Sequence, residues 1–133
     1  MNLILLLSIH IIHLQACIKV CRFVTLQAER IRHCLDGKNL EMILTELGIR
    51  FHRIIYEHLQ QFQYNSMGAL CAICDVNEYR KCVQEFKIPV VTTLFDTLHA
   101  LCNLLLVLPE NLKQVCTGDQ LVSALLTSCS SLA

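Results

Sequence analysis

The sequence has few residues that interrupt helices and no excess of charge of either sign. Only two prolines and four glycines occur in 133 residues, which leaves little material for long loops. Eleven basic residues balance eleven acidic ones, so no net positive field exists to hold phosphate groups. The chain also has no low-complexity tract, charge block or internal repeat. These absences argue against a nucleic-acid partner and favour long helices with short connections.

The composition is more apolar than that of an ordinary soluble domain. Apolar residues make up 54% of the chain, charged residues 17%, and the mean hydropathy is +0.50. A chain of this length fits one domain and can bury most of the surface that its unfolded form exposes. We therefore expect some of the remaining apolar surface to pack against a protein partner.

The first segment, MNLILLLSIHIIHLQAC, allows two interpretations. Its apolar run from Leu3 to Leu14 has the length of a signal-peptide core and is too short to cross a bilayer. No Lys or Arg precedes the run, and His10 and His13 interrupt its end. We predict a buried first helix. The alternative is a small secreted or membrane-attached helical protein whose leader is processed.

Breaker residues divide the first half of the chain into two predicted helices. Nothing interrupts a helix from Leu3 to Leu35, and Asp36 with Gly37 supplies its end. Asn39 is predicted to cap a second helix that runs to about Tyr64. Its predicted apolar stripe is Leu40, Leu44, Leu47, Phe51, Ile54, His58 and Phe62. Gly48 interrupts this helix locally and should cost about 1 kcal/mol relative to alanine.

The two prolines predict later helix starts. Pro89 and Pro109 are each placed at the first position of a helix, where the missing amide hydrogen matters least. Between them the leucines repeat at spacings of four and three, at Leu94, Leu98, Leu101, Leu105 and Leu108. We predict that Leu98 and Leu101 lie at the centre. No run with a period of two competes, so the predicted fold class is all-α, an antiparallel helical bundle.

The stretch GALCAICDVNEYRKCV, residues 68–83, contains Cys71 and Cys74 in a CxxC arrangement. A structural zinc site commonly uses two close pairs of ligands, and the second pair is missing even if Cys82 and His58 are counted. A thioredoxin-type motif follows a strand, and no strand is predicted before Cys71. We predict that both cysteines pack in a helical core and that no metal or other cofactor is bound.

Asp75 and Glu78 have the spacing of a capping box, which predicts a helix junction at CDVNE. The helix that follows would turn an apolar face inward and leave its charged side chains solvated. The predicted apolar face is Tyr79, Cys82, Val83 and Phe86, and the predicted solvated residues are Arg80, Lys81, Gln84 and Glu85.

No catalytic constellation is recognisable. The segment HRIIYEH, from His52 to His58, has the wrong order and spacing for the HExxH helix of zinc proteases. No nucleophile elbow, phosphate-binding loop or carboxylate pair is found. The chain is therefore predicted not to be an enzyme and to have no catalytic, cofactor-binding or metal residues. Nine cysteines without a regular framework favour a reducing cytosol.

One basic cluster is interpreted as a solvated helix face, with contact to lipid headgroups or an acidic partner as the alternative. It consists of Lys19, Arg22, Arg30, Arg32 and Lys38.

Two long strings resemble the C-terminal region of the Sec-ten family of exocyst subunits. They are LDGKNLEMILTELGIRFHRIIYEHLQQFQYNSMGALCAICDVNEYRKCV and LFDTLHALCNLLLVLPENLKQVCTGDQL. The resemblance implies a rod of stacked helical bundles within an eight-protein complex that tethers secretory vesicles to the plasma membrane before fusion. It implies partners among the other exocyst subunits, through helix packing, and no small-molecule substrate. It also implies a cytoplasmic location, peripheral at the plasma membrane and secretory vesicles.

The resemblance does not extend over the whole chain. We predict three parts: residues 1–34, a divergent apolar helix; residues 35–121, the Sec-ten-like bundle region; and residues 122–133, a divergent tail. The chain is accordingly interpreted as a partial scaffold subunit.

Overall fold

A computed structural model describes residues 3–61 and 66–107, and all regular structure in these two ranges is α-helical. Helix α1 spans Leu3–Cys34, α2 spans Gly37–Gln60, α3 spans Ser66–Gln84 and α4 spans Pro89–Val107. The predicted all-α class is confirmed, as is the helix start at Pro89. The predicted helix start at Pro109, the end of the leucine stripe at Leu108 and the tail at 122–133 lie outside the described residues.

The helices alternate in direction along the chain, as predicted for an antiparallel bundle. Contacts between α1 and α3 advance together along both helices, from Cys17 with Asp75 to Arg32 with Glu85, so these two helices are parallel. Helices α2 and α4 are parallel by the same criterion, because Gly48 faces Val91 and the ring of Phe51 faces that of Phe95. Short connections join consecutive helices into antiparallel pairs.

The core is centred on α4. Val91, Phe95, Leu98 and Cys102 are at most 2% exposed and recur at spacings of four, three and four. The predicted central position of Leu98 is confirmed. The predicted central position of Leu101 is wrong: Leu101 and Leu94 are only half-buried, because the buried side of α4 is the one that carries Val91, Phe95 and Cys102.

Helix α2 buries Leu44 and Phe51 as predicted, and it buries Gly48 and Ile55 in place of Ile54 and His58, which are exposed. Leu40 and Leu47 are half-buried, and Phe62 lies outside the described residues. A Cβ at Gly48 would lie 2.5 Å from both methyl carbons of Val91, so the missing side chain is what lets α4 lie against the α2 backbone. This close approach draws the side of the helix that carries Gly48 and Ile55 into the core. Ile54, predicted to be buried, is consequently 64% exposed.

Both ends of α2 differ from the prediction. The helix begins at Gly37, whose φ is +57°, a left-handed conformation that favours glycine. Asp36 holds the cap position without a side-chain cap hydrogen bond, and Asn39 lies within the first turn. The reversal at Gly37 starts the helix before a cap at Asn39 could act. The C-terminal cap is Gln61 rather than a residue near Tyr64.

Helix α3 runs without interruption through the predicted junction at CDVNE, so the capping-box prediction is wrong. The reason is a continuous inward-facing stripe that crosses Asp75 and Glu78, both of which stay half-exposed. Burying this stripe against α4 and α1 outweighs a local cap signal, since no glycine or proline breaks the segment. Its buried members are Ala69, Ala72, Val76 and Val83.

Candidate interaction surface on helix α1

The N-terminal half of α1 carries a large exposed apolar surface, so the prediction of a buried first helix is wrong for this half. We call this exposed region the apolar α1 surface. Its members are Leu3, Ile4, Leu5, Leu7, Ile11, Ile12, Leu14 and Ile18, with exposures from 37% at Leu14 to 70% at Leu3 and Ile4. No Asp, Glu, Lys or Arg lies between Leu3 and Ile18. Exposed apolar patches of this kind mark interaction sites.

The register of the bundle explains the exposure of the first four members, Leu3, Ile4, Leu5 and Leu7. The thiol of Cys17 donates to the carbonyl oxygen of Asp75, and α3 begins at Ser66, nine residues before Asp75. The first turns of α1, more than nine residues before Cys17, therefore have no α3 residue opposite them. Helix α1 extends past the end of α3.

The C-terminal half of α1 is anchored to the bundle. Cys17, Val24 and Ala28 are at most 5% exposed and face α3 and the core. Leu3 and Leu14 lie fourteen and three residues before Cys17, which places them within about 60° of it around the helix. Ile4, Ile11 and Ile18 lie about 100° or more from Cys17, so most of the apolar α1 surface is on other sides of the helix than the face that packs on α3.

The basic cluster is exposed, as the solvated-face interpretation predicts. All five of its side chains are exposed, and the Arg32 guanidinium donates to the carbonyl oxygen of Glu85.

In the described part of the chain, no helix has the combination of length and apolar content needed to cross a membrane.

The two cysteines of the CxxC arrangement do not occupy the core. Cys71 and Cys74 are half-buried at its edge, because the continuous helix turns Ala72 and Val76 inward instead. The seven cysteines in the described residues form no disulfide. Within residues 3–61 and 66–107, no group of three or more His, Cys, Asp or Glu side chains could hold a metal ion. The absence of metal and cofactor stays a prediction.

A polar contact ties α3 to α4. Arg80, predicted to be solvated, is half-buried; its Nε lies 3.7 Å from Oδ1 of Asp96 and its Nη1 lies 3.3 Å from Nδ1 of His99. Burial and the neighbouring positive charge of Arg80 lower the pKa of His99. An ion pair this exposed stabilises by at most about 1 kcal/mol, so it positions α3 and α4 without dominating their packing.

Protonation of His52 should make the stability of the bundle sensitive to acid. Its ring stands edge-on to Phe95, with centroids 5.4 Å apart, and burial lowers the His52 pKa below 6.5. Because the folded chain then binds a proton more weakly than the unfolded chain, the free energy of unfolding should fall as pH drops below 6.5. Urea unfolding across this range should show a shallower dependence for His52→Gln. His99 shifts in the same direction, so His52→Gln with His99→Gln should flatten it further; equal slopes in all three proteins would contradict the prediction.

Comparison with known proteins identifies the family. The family model described as Exocyst complex component Sec10-like, alpha-helical bundle, matches residues 8–128. The chain belongs to this family. Exocyst complex component 5 of Homo sapiens is 64% identical over 108 residues, which cover 81% of this chain and 15% of the relative. The Drosophila melanogaster protein of the same name is 59% identical over 106 residues, covering 80% and 15%.

More distant members of the Sec10-like family also match. Exocyst complex component SEC10a of Arabidopsis thaliana is 34% identical over 104 residues, which cover 78% of this chain and 13% of that protein. The chain therefore spans about one seventh of the length of the relatives that it matches. The family-model match is wider than residues 35–121 and begins within α1, while the division of the chain at residues 34 and 121 stays a prediction.

Two features of the Sec10-like bundle were missed in the sequence. The exposure of Leu3, Ile4, Leu5 and Leu7 depends on where α3 begins, which the apolar run itself does not indicate. A group of thiols between α1 and α3 was also missed. Its only sequence signal is the four-residue spacing of Cys17 and Cys21, which places both on one side of a helix.

Proposed function

We propose that this chain is part of an exocyst subunit and acts as a non-enzymatic scaffold in the tethering of secretory vesicles to the plasma membrane. The observation that carries the proposal is the 64% identity over 108 residues to Exocyst complex component 5 of Homo sapiens. The bundle is one segment of a rod of stacked helical bundles. Its location is cytoplasmic, peripheral at the plasma membrane and vesicles.

The apolar α1 surface is the part of the chain that packs against other exocyst subunits. Supporting this role, the surface lies on the helix that already packs on α3 through its second half, so a further helix could cover the exposed sides in the same manner. Burying apolar area contributes roughly 25 cal/mol per Å². The lack of charge between Leu3 and Ile18 removes the cost of desolvating ions in such a contact.

Association with exocyst subunits is tested by purification from cells. Tagged chain, crosslinked in cells, should recover other exocyst subunits. Ile4→Gln, Leu7→Gln and Ile11→Gln together should reduce recovery to background, because they remove apolar area from exposed positions while keeping good helix formers. Quantitative mass spectrometry of the recovered proteins measures the effect.

A matched control is available on the outer face of α2. Met42, Ile43 and Ile54 are 68%, 44% and 64% exposed, so changing these three residues to Gln alters the same number of similarly exposed apolar positions elsewhere. Circular dichroism should show native helicity for both variants. Equal recovery by both would contradict the role of the apolar α1 surface, and no recovery by the unaltered folded chain would contradict the scaffold proposal itself.

A further inference from the structure

Three cysteines meet where α1 packs on α3, away from the CxxC arrangement. Cys17 and Cys21 lie one turn apart on α1, and Cys82 lies on α3. Cys17 is 1% exposed, whereas Cys21 and Cys82 are half-buried. Solvent therefore reaches Cys21 and Cys82 but not Cys17.

The Cys82 sulfur lies against one turn of α1. Its thiol donates to the carbonyl oxygen of Cys21, with Sγ 3.6 Å from that oxygen, and the same sulfur lies 3.4 Å from the hydroxyl oxygen of Thr25. The side chain of Cys21 neighbours this sulfur as well, since both cysteines line the same groove and Cys21 lowers the pKa of Cys82. Backbone, hydroxyl and thiol groups of α1 thus surround the Cys82 sulfur.

Solvent reaches this pair of cysteines through a shallow groove. The groove has a volume of about 600 Å³ and is lined by both Cys21 and Cys82. Its charged lining residues are Arg22 and Glu29 from α1 and Glu78 and Lys81 from α3, so positive and negative charges balance. A small neutral oxidant meets no electrostatic barrier there.

The side-chain contacts of Cys82 favour its thiolate, whereas its hydrogen bond to the Cys21 carbonyl oxygen favours the thiol. The hydrogen bond from the Cys21 thiol, followed by that from Thr25, lowers the pKa of Cys82 to about 7, against burial and the negative charge of Glu85. Cys21 has one thiol proton and can donate it to only one sulfur at a time. Cys21 interacts with both Cys17 and Cys82, and because Cys17 is shut off from solvent, Cys82 is the one that an oxidant can reach.

We propose that Cys82 and Cys21 form a redox site for hydrogen peroxide, with Cys82 the oxidised thiol and Cys21 the resolving thiol. The Cys82 thiolate attacks one peroxide oxygen, the O–O bond breaks, and a sulfenic acid and hydroxide form. The Cys21 sulfur then attacks the Cys82 sulfur. An S–S bond replaces the S–O bond, and the Cys21 proton leaves with the hydroxyl group as water. Two electrons pass from the two thiols to the peroxide.

The product is a covalent link between α1 and α3. It closes a loop of about sixty residues. Closing this loop lowers the entropy of the unfolded chain, which stabilises the bundle against unfolding. The link lies on the anchored half of α1, close to Ile18, the last residue of the apolar α1 surface. The site is independent of the exocyst proposal, because it depends only on contacts within this chain.

The experiment is peptide mapping of the purified full chain after hydrogen peroxide treatment and alkylation of remaining thiols. The expected product is one crosslinked peptide pair joining Cys21 to Cys82. Alkylation of Cys82 in the untreated chain should follow a pH midpoint near 7. At that pH Cys82 should react on the order of threefold faster than free cysteine, because its larger thiolate fraction is partly offset by the lower nucleophilicity of that thiolate.

Variants separate the two thiols. In Cys21→Ser the sulfenic acid at Cys82 should persist and be trapped by dimedone, whereas Cys82→Ser should form neither product. Cys34→Ser, at an exposed position on the same helix, should leave the crosslink unchanged. Because the mapping is done first on the unaltered chain, a variant that fails to fold does not decide the result. Crosslinks among other cysteines in place of Cys21–Cys82, or a Cys82 that peroxide leaves reduced, would overturn the proposal.

Discussion

Phe95→Ala is expected to cost about 3 to 5 kcal/mol of the free energy of unfolding, the range for truncating a buried aromatic side chain. Phe95 is 0% exposed and its ring contacts two residues of α2, with centroids 5.3 Å from Phe51 and 5.4 Å from His52. Removing it leaves a cavity where α2, α3 and α4 meet. Because small domains are stable by only about 5 to 15 kcal/mol, a large share of stability would be lost.

The control for Phe95 lies on the same helix. Leu104 is 52% exposed, so Leu104→Ala removes a side chain from α4 without opening a cavity and should change stability by less than about 1 kcal/mol. Both variants are measured by urea unfolding followed by circular dichroism. Similar unfolding midpoints for the two variants would mean that Phe95 does not lie in the core.

Gly48→Leu is expected to destabilise the bundle by about 3 kcal/mol or more, although leucine is the better helix former by nearly 1 kcal/mol. The first added carbon alone would lie 2.5 Å from both Val91 methyl carbons, so α2 and α4 must move apart. Val91 is β-branched and 0% exposed, and its side chain therefore has little freedom to turn away. Thermal unfolding should show a lower midpoint.

A double-mutant cycle tests this mechanism. Gly48→Ala should cost less in a Val91→Ala background than in the unaltered chain, because Val91→Ala removes the two methyl groups that the new Cβ would meet. Gly37→Ala is the contrasting case: nothing lies within 4 Å of its added Cβ, and its cost comes only from the left-handed φ of +57°. Additive effects at Gly48 and Val91 would rule out the close approach as the cause.

The secondary structure and family were largely determined by the sequence itself. Long uninterrupted apolar periods, Gly37 and Pro89 determine three helices and two of their boundaries, because these signals act within a few residues of the chain. The strings from Leu35 onward indicated the Sec-ten family before any contact was known. Leu98 was placed correctly because it lies in the middle of its helix and on the side that both neighbours cover.

Only the tertiary structure decided which faces are buried and which cysteines meet. The inward side of α2 depends on Gly48 meeting Val91, a contact between residues 43 positions apart that no local period encodes. The junction predicted at Asp75 disappears because α1 and α4 cover a continuous α3 stripe. Likewise, the thiol of Cys82 contacts the carbonyl oxygen of Cys21, 61 residues away, whereas local spacing draws attention only to Cys71 and Cys74 of the CxxC arrangement. The exposure of Leu3, Ile4, Leu5 and Leu7 follows from the register of α1 against α3. Packing between helices sets all four, since a side chain's burial depends on the helix opposite it and the sequence pattern reports only its own helix.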